Sequence, residues 1–364
     1  MGNTLLTPSV IAKEALMVLE NNLVMAGLVH RDYSDEFAKV GDTITIRKPA
    51  SFVSKAFTGQ IELQDVVEGS TTVTLDTHLD VSFALGPQEL TLDIQHFSEQ
   101  FIQPAMRAHA QKIDAMLCAL YKAVPYREGA AGTTPDALAD IASVRKNLNL
   151  RGVPLDNRAL VIDPNAEAKF LTVDAIVNAE KSGTTEALRN ASLGRLMGFG
   201  VYMDQNIPAH TAGDGTVLIN SAAGIAAGAT TLHVDGVTAA LVPGDLLTIA
   251  NTPYTVLTAG ALAGTAQDLT IYPALKVAVA DNAPVTVVDD HTVNLAFHKN
   301  AFALVTRPLA PPLGAAAVET VSWNGISVRV VYSYNSTTKV DTISLDLLCG
   351  AKCLYPELAC RLLG

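Results

Sequence analysis

Four cysteines are the residues whose type could bind a metal ion or form disulfides: Cys118, Cys349, Cys353 and Cys360. The last three follow the spacing Cys-x3-Cys-x6-Cys, which offers thiolates to zinc. A zinc site usually needs a second Cys or His pair at matching spacing, and none follows here. In a long chain with few cysteines, such thiols are usually small buried apolar groups. We therefore expect four reduced, buried thiols with no metal and no other cofactor.

Two short polar groups could take part in acid–base chemistry or metal binding. Asp289–His291 combines two carboxylates with an imidazole, but consecutive residues rarely converge on one ion, which favours a solvated hinge. His298–Asn300 lies between Phe297 and Phe302, which favours a packed turn between strands. Motifs for phosphate binding, for a nucleophilic serine and for a zinc protease are absent. The glycine-rich segment Gly194–Gly200 lacks the residue order of a phosphate-binding loop and predicts a turn into a strand. The sequence predicts no enzyme.

A long, weakly apolar stretch from 47 to 73 separates its charges by sign. An arm with opposite charges on its two legs is able to contact another subunit, and a solvated loop is the alternative. The basic residues come first and the acidic residues follow, and together they are the candidate intersubunit contacts: Arg47, Lys48, Lys55, Glu62, Asp65 and Glu68.

Composition limits the classes of function. Charged residues make up 17% of the chain, whereas about 25% is typical, so part of its surface is expected to be buried against copies of itself. A large, well-buried monomer is the alternative. The net charge of −11, without a run of Lys or Arg, excludes a dedicated nucleic-acid-binding protein. The sequence has neither a clean signal peptide nor a long apolar run, so we expect synthesis in the cytoplasm and no membrane partner.

Periodic apolar residues and capping signals predict the helices. One helix starts at Pro8 and runs to about Asn22. Apolar residues three and four apart predict helix from 89 to 124, and Pro104 should kink it or separate a short helix from a long one. A further helix should run from Pro135 to about Asn149, and Asp163–Pro164 should begin another.

Alternating residues predict the strands. Thr43–Ile46, Ala159–Ile162 and a terminal hairpin around the turn Asn335–Lys339 are expected. The stretch 222–289 has one Lys, no Arg and no Glu, and its short β runs are separated by Gly and Pro turns, which predicts a small all-β barrel or sandwich inserted into α/β sequence. Its predicted strands are Thr231–Val234, Leu246–Ile249, Tyr254–Leu257, Leu269–Tyr272 and Val285–Val288.

Short motifs occur in an order that is specific in combination: Val40–Pro49, Leu90–Asp93, Phe101–Ala105, Lys112–Asp114, Gly198–Val201, Asn206–Thr211, Asn294–Phe302 and Arg307–Pro308. Around a β insert of this size, they resemble the major coat proteins of short-tailed bacteriophages that carry a β domain inserted into the Hong Kong ninety-seven shell fold. The resemblance covers most of the chain.

This resemblance implies an α+β capsid shell fold with an inserted all-β barrel. It divides the chain into an N-terminal arm at 1–40, an extended loop at 41–80, a peripheral domain with the spine helix at 81–130 plus 351–364, an axial domain at 131–221 and 290–350, and the inserted domain at 222–289.

The resemblance also implies a function and partners. Such proteins form icosahedral shells of hexamers and pentamers and incorporate a portal protein. The shell encloses double-stranded DNA without sequence preference, and an acidic protein suits this role because it repels the phosphates of the DNA. The arm helix begins near Pro8, which leaves no room for an attached scaffolding segment, so a separate scaffolding protein is expected, and a decoration protein is possible. Three alternatives stay open: a bacterial nanocompartment shell of the same fold, an enzyme with a lid-like β domain, and a tail or adhesion protein.

Overall fold

Two compact units make up the described part of the chain. A computed structural model describes the residues 8–31, 43–47, 70–85, 98–183, 185–312, 317–335 and 340–364. The first unit is built from described residues within 1–22, 31–110 and 304–354, and the second from those within 23–30, 111–303 and 355–364.

Helices and strands alternate irregularly along the chain. The α-helices are α1 (Pro8–Asn22), α2 (Met25–Leu28), α3 (Gln103–Cys118), α4 (Leu138–Leu150), α5 (Pro164–Phe170), α6 (Asp174–Val177), α7 (Ala179–Ser182) and α8 (Glu186–Asn190). The strands up to the middle of the chain are β1 (Thr43–Arg47), β2 (Ser70–Thr74), β3 (Thr77–Leu85), β4 (Arg127–Glu128), β5 (Arg158–Ile162), β6 (Arg195–Leu196), β7 (Phe199–Met203), β8 (Ala209–His210), β9 (Asp214–Ile219) and β10 (Thr231–Ala239). The later strands are β11 (Leu246–Ile249), β12 (Thr252–Ala259), β13 (Gln267–Tyr272), β14 (Thr286–Val287), β15 (His291–His298), β16 (Phe302–Arg307), β17 (Ala317–Trp323), β18 (Ile326–Asn335), β19 (Val340–Cys353) and β20 (Ala359–Leu363). None of the helices in the described ranges is long and apolar enough to cross a membrane.

The first unit contains a five-stranded sheet with the order β16-β19-β18-β17, in which β3 also pairs with β19. The apolar side chains of the predicted alternation are buried in the middle of the terminal hairpin: Ile326, Val328 and Val330 on β18, and Ile343, Leu345 and Leu347 on β19. Ser327 and Asp346 between them are buried as well, and Tyr334 near the end of β18 is exposed, so the alternation is only partial. Helix α1 packs on β17 and β18, and its start and end agree with the prediction.

Two further predictions for the first unit are confirmed. A π-helical turn at Ser98–Ile102 leads into α3, so the helix geometry changes just before Pro104, where the missing N–H breaks the regular ladder. The strand predicted at Thr43–Ile46 is β1, which pairs with β2 in an antiparallel hairpin from Thr43↔Thr74 to Arg47↔Ser70. This pairing brings the two ends of the segment 48–69 together.

The second unit contains a seven-stranded mixed sheet with the order β4-β20-β15-β5-β7-β6, and β8 pairs with β15. The core between this sheet and its helices includes Leu148 of α4, Phe170 of α5 and Phe199 of β7. The predicted cap of α5 is confirmed, because the Asp163 carboxylate accepts the N–H groups of Asn165 and Ala166.

One predicted helix starts later than its sequence signal suggests. Helix α4 begins at Leu138 and not at Pro135. The carboxylate of Asp140 accepts the N–H groups of Asp136 and Ala137, so the chain turns before the helix and the helix begins after that turn.

The second unit also contains a six-stranded, nearly closed barrel with the order β14-β11-β12-β13-β10-β9. All the strands predicted for the insert are confirmed. The barrel also uses β9, which lies before the predicted range of 222–289, because Val217 and Ile219 point into its core. Hydrogen bonds from Ile219 N to Ala283 O (3.0 Å) and from Val285 N to Val217 O (2.9 Å) join β9 to the segment before β14 and so close most of the barrel.

The C-terminal strand β20 lies in the mixed sheet of the second unit. It pairs with β15 and with β4, and β4 falls within the range 81–130 that the resemblance groups with 351–364. All five residues of β20 are buried, as expected for a central strand covered on both faces. The described residues within 290–303 belong to the second unit, and those within 304–354 belong to the first. The division into arm, loop, peripheral, axial and inserted domains stays a prediction.

The composition of the barrel predicts that it folds alone, and the place of β9 sets its start. A fragment of residues 212–289 should show a strand-type circular dichroism spectrum and a cooperative melt. A fragment of 222–289 lacks Val217 and Ile219 and leaves an open edge, so it should melt at a lower temperature or without cooperativity. Equal melting curves for the two fragments would contradict the role given to β9.

Candidate functional site

The extended loop was predicted to contact another subunit, and the structure describes its base. Arg47 ends β1 opposite Ser70 of β2, so the loop leaves and returns through paired strands. The side chain of Arg47 and the residues Lys48, Lys55, Glu62, Asp65 and Glu68 lie outside the described residues. The intersubunit role of these charges stays a prediction.

A buried arginine in the second unit connects three distant parts of the chain. Arg361 on β20 is fully buried. Its Nε donates to Val124 O at 2.8 Å, one Nη donates to Gly244 O at 2.7 Å, and the other donates to Thr255 Oγ1 at 3.0 Å. Thr255 in turn donates its hydroxyl to Lys122 O at 2.9 Å. The guanidinium therefore fixes the barrel to the C-terminal strand and to the turn after α3.

A second chain of hydrogen bonds runs beside this guanidinium, which lies 4.9 Å from the ring centre of Tyr121. The His210 Nε2–H donates to Asp245 Oδ1 at 2.7 Å, so its Nδ1 is free to accept the Tyr121 hydroxyl, also at 2.7 Å. The other oxygen of Asp245 accepts the N–H groups of Val242 (2.8 Å) and Gly213 (3.2 Å). Every polar atom of this buried row has a partner, as a stable interior requires.

His291 packs against the same row, with its ring centre 5.2 Å from that of His210. Its Nδ1 donates to Asp289 O at 2.8 Å, while Nε2 is buried without a hydrogen-bond partner among the described residues. Burial lowers the pKa of His291 to about 4, so the ring is neutral at neutral pH. The prediction of a solvated hinge at Asp289–His291 is therefore wrong for the histidine, although Asp289 and Asp290 are exposed. The histidine is buried because β15, which it begins, enters the mixed sheet at once.

The second polar group is the packed turn that the sequence predicted. Lys299–Ala301 forms a 3-10 turn between β15 and β16, and His298 Nδ1 accepts the Asn300 N–H at 3.2 Å. The rings of Phe297 and Phe302 meet edge to face at 5.1 Å. Burial lowers the pKa of His298, in line with a packing role.

The four cysteines are all buried, and none of them is in a disulfide. Burial raises the pKa of Cys349 and of Cys360 to about 12, so both are protonated thiols at neutral pH. Within the described ranges, no group of His, Cys, Asp or Glu side chains is arranged to hold a metal ion. The expectation of reduced thiols without metal stays a prediction.

The sequence did not point to the row formed by Tyr121, His210, Asp245 and Arg361. One signal was available: Arg361 is the only charged residue in the apolar stretch Ala359–Leu363. A charge within a strand that is otherwise apolar indicates either an edge strand or a buried charge with dedicated partners. The partners themselves are more than a hundred residues away in sequence and have no local motif.

Comparison with known proteins identifies this architecture. The family model described as P22 coat protein, gene protein 5, matches residues 3–260 and 248–364. No curated protein matches the chain. Among solved structures, the chain is similar to one from Mycobacterium phage Che8, with 14% identity, a TM-score of 0.53 and coverage of 93% of this chain and 90% of that one. It is also similar to the capsid of Ralstonia phage GP4, with 9% identity, a TM-score of 0.51 and coverage of 92% and 86%. These likenesses concern the fold, and they confirm the predicted α+β capsid shell fold.

Removing the buried guanidinium should destabilise the second unit. Arg361→Met leaves three buried acceptors unpaired, so the free energy of unfolding should fall by about 2–4 kcal/mol. Urea unfolding followed by circular dichroism measures this change. Arg195→Met, which changes an exposed arginine of the same sheet, is the matched control and should alter the free energy by less than about 0.5 kcal/mol. Equal stability of the two variants would contradict the role of Arg361.

Proposed function

The chain belongs to the P22 coat protein family, and we propose that it assembles as hexamers and pentamers into an icosahedral shell that encloses packaged double-stranded DNA. A bacteriophage coat protein is a structural subunit that forms the shell of the virion by binding copies of itself. The observation that carries the proposal is the family match, which extends from residue 3 to residue 364. The low content of charged residues supports it, because a subunit that buries much of its surface against copies needs fewer charges on that surface.

The net charge of −11 supports the enclosure of DNA, because an acidic protein repels phosphates and leaves the genome free to be packed and released. We propose that assembly takes place in the host cytoplasm with a separate scaffolding protein and a portal protein, and that the finished shell is able to take up a decoration protein. The proposed function requires no cofactor of the chain itself.

The extended loop is the part of the chain proposed to bind a neighbouring subunit. Its ends are held together by the pairing of β1 with β2. Lys48 and Lys55 lie in its first half and acidic residues lie in its second half, so opposite charges are separated along the loop sequence. Complementary charge fixes the register in which two surfaces meet.

The inserted barrel is proposed to steady the mixed sheet. Arg361 links Gly244 and Thr255 of the barrel to Val124, so the barrel and the C-terminal strand hold each other in place. Its nearly closed form also keeps its strands from pairing with strands of other copies during assembly.

Electron microscopy of particles made by the chain together with its neighbouring genes tests the function. We expect closed icosahedral shells with hexamers and pentamers, and double-stranded DNA inside particles from infected cells. Small oligomers only would contradict the function. Shells that hold enzyme cargo instead of DNA would identify a nanocompartment and contradict the enclosure of a genome.

Charge reversal in the extended loop should impair assembly without unfolding the subunit. Lys48→Glu with Lys55→Glu removes the basic leg, and each exposed pair contributes only about 0–1 kcal/mol, but the loss recurs in every subunit of the shell. Particle yield from a sucrose gradient should fall, while the melting temperature of the subunit stays the same. Lys146→Glu with Lys276→Glu, two exposed lysines outside the loop, is the matched control. A normal yield from the loop variant would count against the intersubunit role.

A further inference from the structure

An exposed patch on the first unit combines apolar and charged side chains. We define the α1 patch as Val10, Lys13, Met17 and Glu20 on helix α1, together with Trp323 at the end of β17. We propose that the α1 patch is a two-fold contact between two copies of this chain. The proposal deepens the proposed function, on which it rests, by naming one surface through which copies of the subunit bind each other.

Large apolar side chains in the patch are in contact with water. Met17 is 53% exposed, Val10 is 43% exposed and Trp323, the only tryptophan of the chain, is 68% exposed. Leu16, Met17 and Trp323 line a groove of about 320 Å³. Aromatic residues and methionine are enriched at protein interfaces, and an apolar groove with a charged rim is typical of a surface that another protein covers.

The Trp323 side chain is held on a rigid turn. Asn324 and Gly325 have φ angles of 49° and 74°, the left-handed conformation of a two-residue hairpin turn between β17 and β18. Asn324 Nδ2 donates to Glu20 Oε1 at 3.0 Å, which ties this turn to helix α1. Both sides of the groove are therefore in place before a partner binds, and a preformed surface loses less entropy on binding.

The charges on the rim show which partner fits. Lys13 and Glu20 are seven residues apart on α1, which places them on the same face about 10.5 Å apart along the helix. They carry opposite charges at opposite ends of the groove, and the structure gives Lys13 no ion-pair partner within the described residues. The remaining acidic residue nearby, Glu14, accepts the Ser98 hydroxyl at 2.9 Å.

A second copy of the same helix complements this arrangement. If two α1 helices lie antiparallel around an axis between Leu16 and Met17, Lys13 of each copy faces Glu20 of the other. The axis places the two Met17 side chains together at the centre, and the contact occurs twice because a two-fold interface is self-complementary. An icosahedral shell, as in the proposed function, has two-fold axes at which such a self-complementary contact fits.

Complementary charge variants of the full-length chain test this arrangement. Lys13→Glu alone and Glu20→Lys alone each set like charges against each other at both ends, so self-association should weaken roughly tenfold. In a mixture of the two variants, positions 13 and 20 that face each other across the axis carry opposite charges again. Association in the mixture should therefore recover to within roughly twofold of the unaltered chain. Sedimentation velocity measures the association. Lys146→Glu and Glu180→Lys, at exposed positions outside the patch, are the matched controls and should have no effect alone or mixed.

The single tryptophan gives a second measurement. Its emission should shift to shorter wavelength on self-association. At the same protein concentration, the shift should be smaller in each variant alone and return in the mixture. The melting temperature of each variant tests whether it folds, because Lys13 is exposed whereas the half-buried Glu20 also loses its hydrogen bond from Asn324 when it is reversed. A mixture no better than its components would overturn the two-fold arrangement. A shift that requires the scaffolding protein would assign the patch to that partner and overturn the proposal.

The two proposals fail in different ways. If closed shells form while the Trp323 emission stays that of an exposed ring, the α1 patch is not the contact and the shell function stands. If the subunits pair through the patch, with the shift and the rescue by mixing, but form no shell with the neighbouring genes, the contact stands and the shell function fails.

Discussion

A buried guanidinium is the interaction on which the second unit depends. A charge in the interior is tolerated only when hydrogen-bond acceptors surround it, and Arg361 obtains them from Val124, Gly244 and Thr255. Burial lowers its pKa to about 9, so the group stays charged at neutral pH and keeps needing those acceptors. The backbone at Gly244 has a φ of 108°, and a Cβ there would lie 3.0–3.2 Å from the side chains packed around it. The close approach that presents its carbonyl to the guanidinium therefore requires glycine at this position.

Local rules account for the elements that the sequence predicted well. Helix α1 starts at Pro8 because proline is favoured in a first turn that needs no N–H donor, and α5 starts after Asp163 because a carboxylate there satisfies free N–H groups. The alternation in the terminal hairpin, although partial, arises because one face of its sheet is buried. In each case, the residues that decide the structure lie within a few positions of each other. The short motifs were equally local, and their order along the chain was sufficient to indicate the family.

Pairing between distant segments accounts for what the sequence did not show. β9 enters the barrel because its partners are β10 and the segment 282–285, and nothing in Asp214–Ile219 itself distinguishes a barrel strand from a strand of the mixed sheet. β20 joins β15 across more than sixty residues of chain. The burial of His291 also results from pairing between distant segments. Its acidic neighbours in the sequence predicted exposure to solvent, but β15, which it begins, pairs within the mixed sheet. The strand that begins at this histidine, and not the exposed carboxylates before it, determines that the side chain is buried.

Closure of the barrel and the charges of the α1 patch meet one requirement of a chain that binds copies of itself. An open strand edge pairs with any other edge, so it offers association without selection. The bonds from Ile219 to Ala283 and from Val285 to Val217 use up main-chain groups that would otherwise form such an edge. Side chains select their partner by shape and by the position of charge, and a wrong register sets like charges together. In a subunit with few charges, each charge therefore has a strong effect on which contact forms. In the proposed contact, the opposite signs of Lys13 and Glu20 favour an antiparallel pairing of two α1 helices, because a parallel pairing would place like charges together.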